Sequence, residues 1–338
     1  MWQTKGRCGK FIKKGGLPPL QGPDEKRNVM IRIQKFKFNS FEEHCYLLWR
    51  EDAGDMSSES TTSGETDAQK PCVVIDPGFD TDEDWEKLSG TILERNLRPV
   101  AALLTHAHPD HTYGVHRLCE SFDIPVYMNK GEKVTVEALP ALCRNIGHAV
   151  TEDFSARIVT IEDGDHILVT AEGVKLNKEG EAGAGQSTAG TGGEEGTGGE
   201  EGAGGEEGRG LDLKVLFTPG HSAGGVCYLC REIAPKEFSE GSGAASSCKN
   251  GDSEESATGK DEGWKVLFSG DTLFAGCIGR SDLPGGNYDA LMRSIFTKLL
   301  HLPGDIDVLP GHGRSTTIAD ERTKNPFLMP FNFPEEVE

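Results

Sequence analysis

Residues 30–37, MIRIQKFK, alternate apolar and polar positions as a half-buried strand does. A second strand is expected at 45–50, and a third, VVID at 73–76, runs into Pro-Gly. The period then changes. Trp85, Leu88, Ile92 and Leu93 recur at helical spacing over 82–95, behind an Asp82 start signal. VAALL at 100–104 reads as a strand, and a helix-like stretch begins near Tyr113. Further strands are expected at GDHILVT, at LKVLF (213–217), at VCYLC, at WKVLF (264–268) and at DVL (307–309), with a helix over 288–300. In four places an apolar strand enters a short loop rich in Gly, Thr or Pro that carries a His or an Asp. Strand ends of this kind line up along one edge of a sheet in an α/β scaffold, so residues far apart in sequence can converge there.

Three segments break the pattern. Residues 52–69, 179–210 and 231–263 lack the apolar content to bury a core and read as disordered insertions between strands. Closure entropy rises only slowly with loop length, so overgrown loops are tolerated. These inserts carry most of the formal net charge of −20, which therefore describes the loops more than the folded part. Removing them and a basic extension at 1–28 leaves a chain suited to one domain over 29–330, followed by a tail at 331–338. The acidic balance and the absence of a basic stripe argue against a nucleic-acid partner. No apolar run is long enough to span a membrane.

Nine cysteines, an odd number without framework spacing, point to a reducing compartment and a cytoplasmic location. The basic N-terminal extension leaves organellar targeting open. Cys227 and Cys230 form a C-x-x-C, but in a strand positions three apart face opposite sides, so both are expected to be packing residues.

The chemistry sits in the loops. THAHPDH at 105–111 supplies His106, His108, Asp110 and His111; TPGHSAGG supplies His221, SGDTLF supplies Asp271, and PGHG supplies His312. Alone, His221 could be a turn residue, Asp271 a helix cap and His312 a loop tip; H-x-H-x-D-H has no such ordinary reading. Five imidazoles and two carboxylates form a nitrogen and oxygen set suited to zinc or iron. Seven groups exceed one tetrahedral ion and suit two, with one aspartate bridging. His106 and His108 can point the same way from an extended segment, whereas Asp110 and His111 belong to the following turn, stiffened by Pro109. His44, His116, His148, His166 and His301 lack such company and read as structural or surface residues.

THAHPDH, TPGHSAGG, FSGDTLF and PGHG, in this order, resemble the metallo-β-lactamase superfamily, whose fold is an αββα sandwich. GDTLFAGCIGRSDLPGGNYDAL and LPGHGRSTTIADERTKNPFL resemble its glyoxalase II branch, the hydroxyacylglutathione hydrolases, in a compact form without the C-terminal helical domain that grips glutathione. The resemblance implies that His106, His108 and His221 hold one metal, that Asp110, His111 and His312 hold another, and that Asp271 bridges them. It further implies two divalent ions, zinc first with iron or manganese as alternatives. A metal-bridging hydroxide oriented by Asp110 would hydrolyse a small-molecule thioester such as S-lactoylglutathione. Arg280, in GCIGRSD, is a candidate substrate contact, pairing with a substrate carboxylate, or else a brace for the site through an acidic neighbour such as Asp282. A mononuclear iron enzyme like the persulfide dioxygenases, using His106, His221 and Asp271, is the rival reading; a non-enzymatic metal-binding scaffold is a third.

Overall fold

A computed structural model describes residues 30–51, 68–179, 210–233 and 263–329. The N-terminal extension, the tail and the bodies of the three inserts lie outside the described residues.

Strands β1 (Met30–Phe38), β2 (Glu43–Glu51) and β3 (Lys70–Ile75) form where the alternating and apolar runs predict them. Helix α1 (Asp82–Glu94) follows; its cap is Thr81, one residue before the expected signal, whose side chain accepts from the Asp84 N–H. Strand β4 (Leu97–Leu103) leads into the one-turn helix α2 (Pro109–Thr112) and then α3 (Val115–Phe122). Next come β5 (Val126–Asn129), α4 (Lys133–Asn145) and β6 (Ile158–Ile161). These three escape a reading by pattern because both strands are four residues long and Pro140 interrupts the helix. Together β1-β2-β3-β4-β5-β6 make the first sheet, antiparallel over the first three strands and parallel from β3 onward.

The second sheet is built from β7 (His166–Thr170), β8 (Gly173–Asn177), β9 (Gly210–Phe217), β10 (Val226–Ile233), β11 (Val266–Gly270), β14 (Asp307–Pro310) and β15 (Thr316–Thr317), while β12 (Leu273–Phe274) and β13 (Cys277–Ile278) pair as a small hairpin of their own. Setting that hairpin aside, the order is β15-β14-β11-β10-β9-β7-β8. The second insert therefore leaves from an unexpected edge strand, β8, and returns into β9. Strand β10 also runs on through Ile233, into residues expected to open the third insert. It does so because Arg231 reaches across to the buried carboxylate of Asp212 at 3.0 Å. Helix α5 (Tyr288–Ser294), expected to run to 300, widens into a π turn over Ile295–Leu299; α6 (Ile318–Lys324) follows.

Three apolar layers bind these parts. Leu88, Ile92, Val115, Leu118 and Leu139 press the helices α1, α3 and α4 onto one face of the first sheet. Tyr46, Leu48, Ile75, Val215 and Tyr228 fill the space between the two sheets. Leu291, Met292, Ile295 and Ile318 pack α5 and α6 on the far face of the second sheet. The result is an α/β fold of four layers, αββα. Cys227 lies in the last of these cores and Cys230 in the middle one, on opposite faces of β10 as the spacing requires. Burial pushes the Cys227 thiol up to about 11 and raises Cys230 further, so both are inert packing groups. No helix among the described residues is long and apolar enough to cross a membrane.

Candidate metal centre

The four sequence-marked loops meet at one edge of the sandwich. Strand β4 delivers Thr105 first. Its backbone N–H and its hydroxyl donate to the two oxygens of Asp76, at 2.8 and 2.7 Å. Asp76 ends β3 in the left-handed region, at φ +50°, a strained conformation for a residue other than glycine and one held by these two bonds. Because the Thr105 hydroxyl proton points to Asp76, its oxygen must accept from His106 Nδ1, 3.1 Å away, which assigns that tautomer and leaves His106 Nε2 bare. His221 Nδ1 donates to the Arg280 carbonyl at 2.8 Å and leaves its own Nε2 bare in the same way.

These bare nitrogens face one another. His106 Nε2 and His221 Nε2 are 3.2 Å apart, and His108 Nδ1 is 2.9 Å from His221 Nε2. Only one proton, on His108 Nδ1, is free to satisfy any of the three. Converging lone pairs in a buried place fit a cation and fit little else. Burial holds His108 down at about 4 and His106 well below its ordinary value, so both are neutral donors at neutral pH.

Beside them lies a second group. Asp110 Oδ2 is 3.2 Å from His312 Nε2 and 3.7 Å from His111 Nε2. Asp271 spans the two groups, with Oδ1 3.5 Å from His111 Nε2 and Oδ2 3.6 Å from His221 Nε2. His106, His108 and His221 could hold one ion, and Asp110, His111 and His312 another. Both ring nitrogens of His111 and Oδ1 of Asp271 are buried without a hydrogen-bond partner among the described residues. A Cβ on Gly311 would stand 2.4 Å from Asp271 Oδ1 and 2.8 Å from His111 Cε1, inside the cluster, so only glycine leaves that volume open. Gly270, at φ +47°, must likewise lack a side chain, since a Cβ would meet the Thr105 hydroxyl at 2.4 Å. The donor set, the orphaned polar atoms and the open volume all fit a pair of divalent ions.

The electrostatics divide the two groups. Burial works to lower His111 and His312, but the carboxylates beside them win and both are raised. Burial works to raise Asp110 and Asp271, and the imidazoles beside them prevail, so both are lowered. Glu43, fully buried behind His111, is pushed well above the usual carboxylate range by burial, against the pull of His111.

Of the two readings of Arg280, a substrate contact or a brace through Asp282, the structure shows the pairing with Asp282. Its side chain is exposed and paired with Asp282 through two bonds of 2.9 Å, and the part of it that reaches the cluster is its carbonyl. His44 is buried against Pro310, while His116, His148 and His166 pair with Glu152, Asp80 and Asp212, so these four are structural.

Reading by motif misses Asp76, Glu43 and Glu132. Asp76 carried a usable signal, a fifth strand end with an acid, in VVIDPG. Glu132 carried none. Fully buried, it accepts from the Ala107 N–H at 3.0 Å and the Gly224 N–H at 2.8 Å, tying the first loop to the second. Glu132→Ala orphans two buried amides at about 1–3 kcal/mol each. The variant is expected to lose roughly that much stability, read as a lowered denaturant midpoint with an unchanged slope. A loss under ~0.5 kcal/mol would show that the tie is not needed.

The sequence profile of the metallo-beta-lactamase superfamily matches residues 66–232. The chain is similar to the "Probable metallo-hydrolase YqgX" of Bacillus subtilis, 32% identical over 261 residues that cover 77% of this chain and 89% of that one. It is 26% identical over 299 residues to the hydroxyacylglutathione hydrolase GloC of Haemophilus influenzae, covering 88% and 98% of the two chains. Among solved structures, the BLEG-1 B3 metallo-beta-lactamase superposes with a TM-score of 0.54 at 27% identity, over 88% of this chain and 99% of that one. TTHA1623 in a di-iron-bound form superposes with a TM-score of 0.52 at 26% identity, over 87% and 100%.

Proposed function

The chain belongs to the metallo-beta-lactamase superfamily as a metal-dependent hydrolase, and from that premise we propose that it cleaves thioesters of the S-lactoylglutathione type with two divalent ions, zinc first. The observation that carries this reading is Asp271, one carboxylate reaching both donor groups. The similarity to GloC supports the thioester class, and the di-iron form of TTHA1623 supports two metals and keeps iron as an alternative.

A bound pair of divalent ions supplies a water whose pKa is lowered to ~7, and thus a nucleophile at neutral pH. The protein does the rest. Asp271 fixes the spacing of the two donor groups. Asp110 is held by its backbone carbonyl, which accepts from Asn39 Nδ2 at 2.9 Å, and its carboxylate would orient the attacking hydroxide as well as help hold the metal. The departing thiolate has a conjugate thiol pKa of only ~8.5 and requires no general acid.

A discriminating assay offers the zinc-loaded protein S-lactoylglutathione, and the iron-loaded protein glutathione persulfide under an oxygen electrode. Thioester turnover without oxygen uptake is the expected result. Oxygen uptake with no thioester turnover would transfer the chain to the persulfide dioxygenase reading.

The two groups should also differ in their response to pH. Ligand nitrogens must be unprotonated. The raised pKa values of His111 and His312 mean that protons compete there from higher pH, whereas His108 resists until about 4 and burial holds His106 well below its ordinary value. Dialysis toward lower pH should therefore release one zinc equivalent before the other. Loss of both equivalents together would contradict this ordering.

A further inference from the structure

The turn that joins β1 to β2, together with the first residue of β2, reaches every residue of the second donor group. Asn39 Nδ2 donates to the Asp110 carbonyl at 2.9 Å and to the Gly78 carbonyl at 2.9 Å. The Phe41 carbonyl accepts from His312 Nδ1 at 3.1 Å. Glu43 Oε1 lies 3.9 Å from His111 Nδ1. The turn is itself seated on the fourth loop, because the His44 N–H donates to the Gly311 carbonyl at 2.8 Å. His106 and His221 are oriented by other parts, Thr105 and the Arg280 carbonyl.

Glu43 is the telling member. It is completely buried, and neither of its oxygens has a hydrogen-bond partner among the described residues. Asp76, the other carboxylate near His111 Nδ1 at 3.1 Å, already accepts two bonds from Thr105. Asp76 Oδ2, the nearer at 3.1 Å, keeps a lone pair for the Nδ1–H, and Glu43, 3.9 Å away and with no other partner among the described residues, is the second carboxylate beside that proton when His111 presents Nε2 to a ligand. A third ion between these carboxylates is not the answer. The Nδ1 proton occupies the gap, and the Gly78 backbone closes the other side, since even a Cβ there would stand 2.3 Å from Glu43 Oε2.

We infer that the β1–β2 turn is a clamp dedicated to the second metal, with Glu43 as the positioning residue for His111, Asn39 for Asp110 and the Phe41 carbonyl for His312. This rests on the reading that two ions fill the cluster. A partner behind a metal-bound histidine fixes its tautomer and orientation, and its loss typically weakens metal affinity 10–100-fold. Here that loss falls on one ion of the pair.

The test titrates zinc into metal-free full-length protein against a chromophoric chelator, for wild type, Glu43→Ala, Glu43→Gln and Asn39→Ala. In Glu43→Ala the second equivalent should bind roughly 10–100-fold more weakly while the first is unchanged. Glu43→Gln, whose amide carbonyl can still accept, should recover part of the loss, and Asn39→Ala should weaken the second equivalent independently. Should one variant fail to fold, the others decide. Second-equivalent affinity at the wild-type level in the folded variants overturns the clamp, as does equal weakening of both equivalents. Wild-type protein that binds fewer than two equivalents would instead overturn the two-metal reading itself, and the clamp with it.

Discussion

Asp271→Asn is expected to reduce thioester hydrolysis by roughly 10²–10³-fold or more, the scale on which removal of one preorganised electrostatic group is felt in such sites. The substitution keeps the shape of the side chain and removes its charge. In the native cluster both carboxylate oxygens are engaged, one toward His111 and the other toward His221 and His312. An amide can offer only one oxygen as an acceptor, and its NH₂ would be turned toward bare imidazole nitrogens. At least one zinc equivalent should leave, measured by elemental analysis of the purified variant. Full activity with two metals retained would remove Asp271 from its bridging place. The fold should survive, because Asp271 sits at the rim of the sandwich, outside the three apolar layers.

Much of this site was legible in the sequence, and the reason is physical. Apolar runs such as VAALL and LKVLF announce strands, and a His or Asp directly after each must lie at a strand end. The order and composition of the four loops therefore pointed to one edge of a sheet before any coordinates. All seven residues so marked do meet there, with His106, His108 and His221 on one side and Asp110, His111 and His312 on the other.

What was not legible acts through geometry that a linear pattern does not encode. Glu43 opens β2 as an ordinary acid in FEEHCYLL and becomes unusual only because the turn folds it beneath His111. Glu132 follows a strand end without any motif, and its two amide partners come from loops 25 and 92 residues away. Arg280, whose pairing with Asp282 was one of its two readings, is only half legible for the converse reason. A guanidinium near a site invites a role in binding, yet here the backbone carbonyl of that residue does the work by orienting His221. The insert boundaries shifted because Arg231, a charged residue that ends an apolar run, is satisfied inside the sheet by Asp212.

The measurement that bears most directly on the whole account is the rate of S-lactoylglutathione hydrolysis by the metal-stripped protein as zinc is restored from zero to two equivalents. The stripped protein should be inactive, and the rate should rise to its maximum at two equivalents per chain. A maximum at one equivalent, or turnover that persists without metal, would contradict a dinuclear thioester hydrolase.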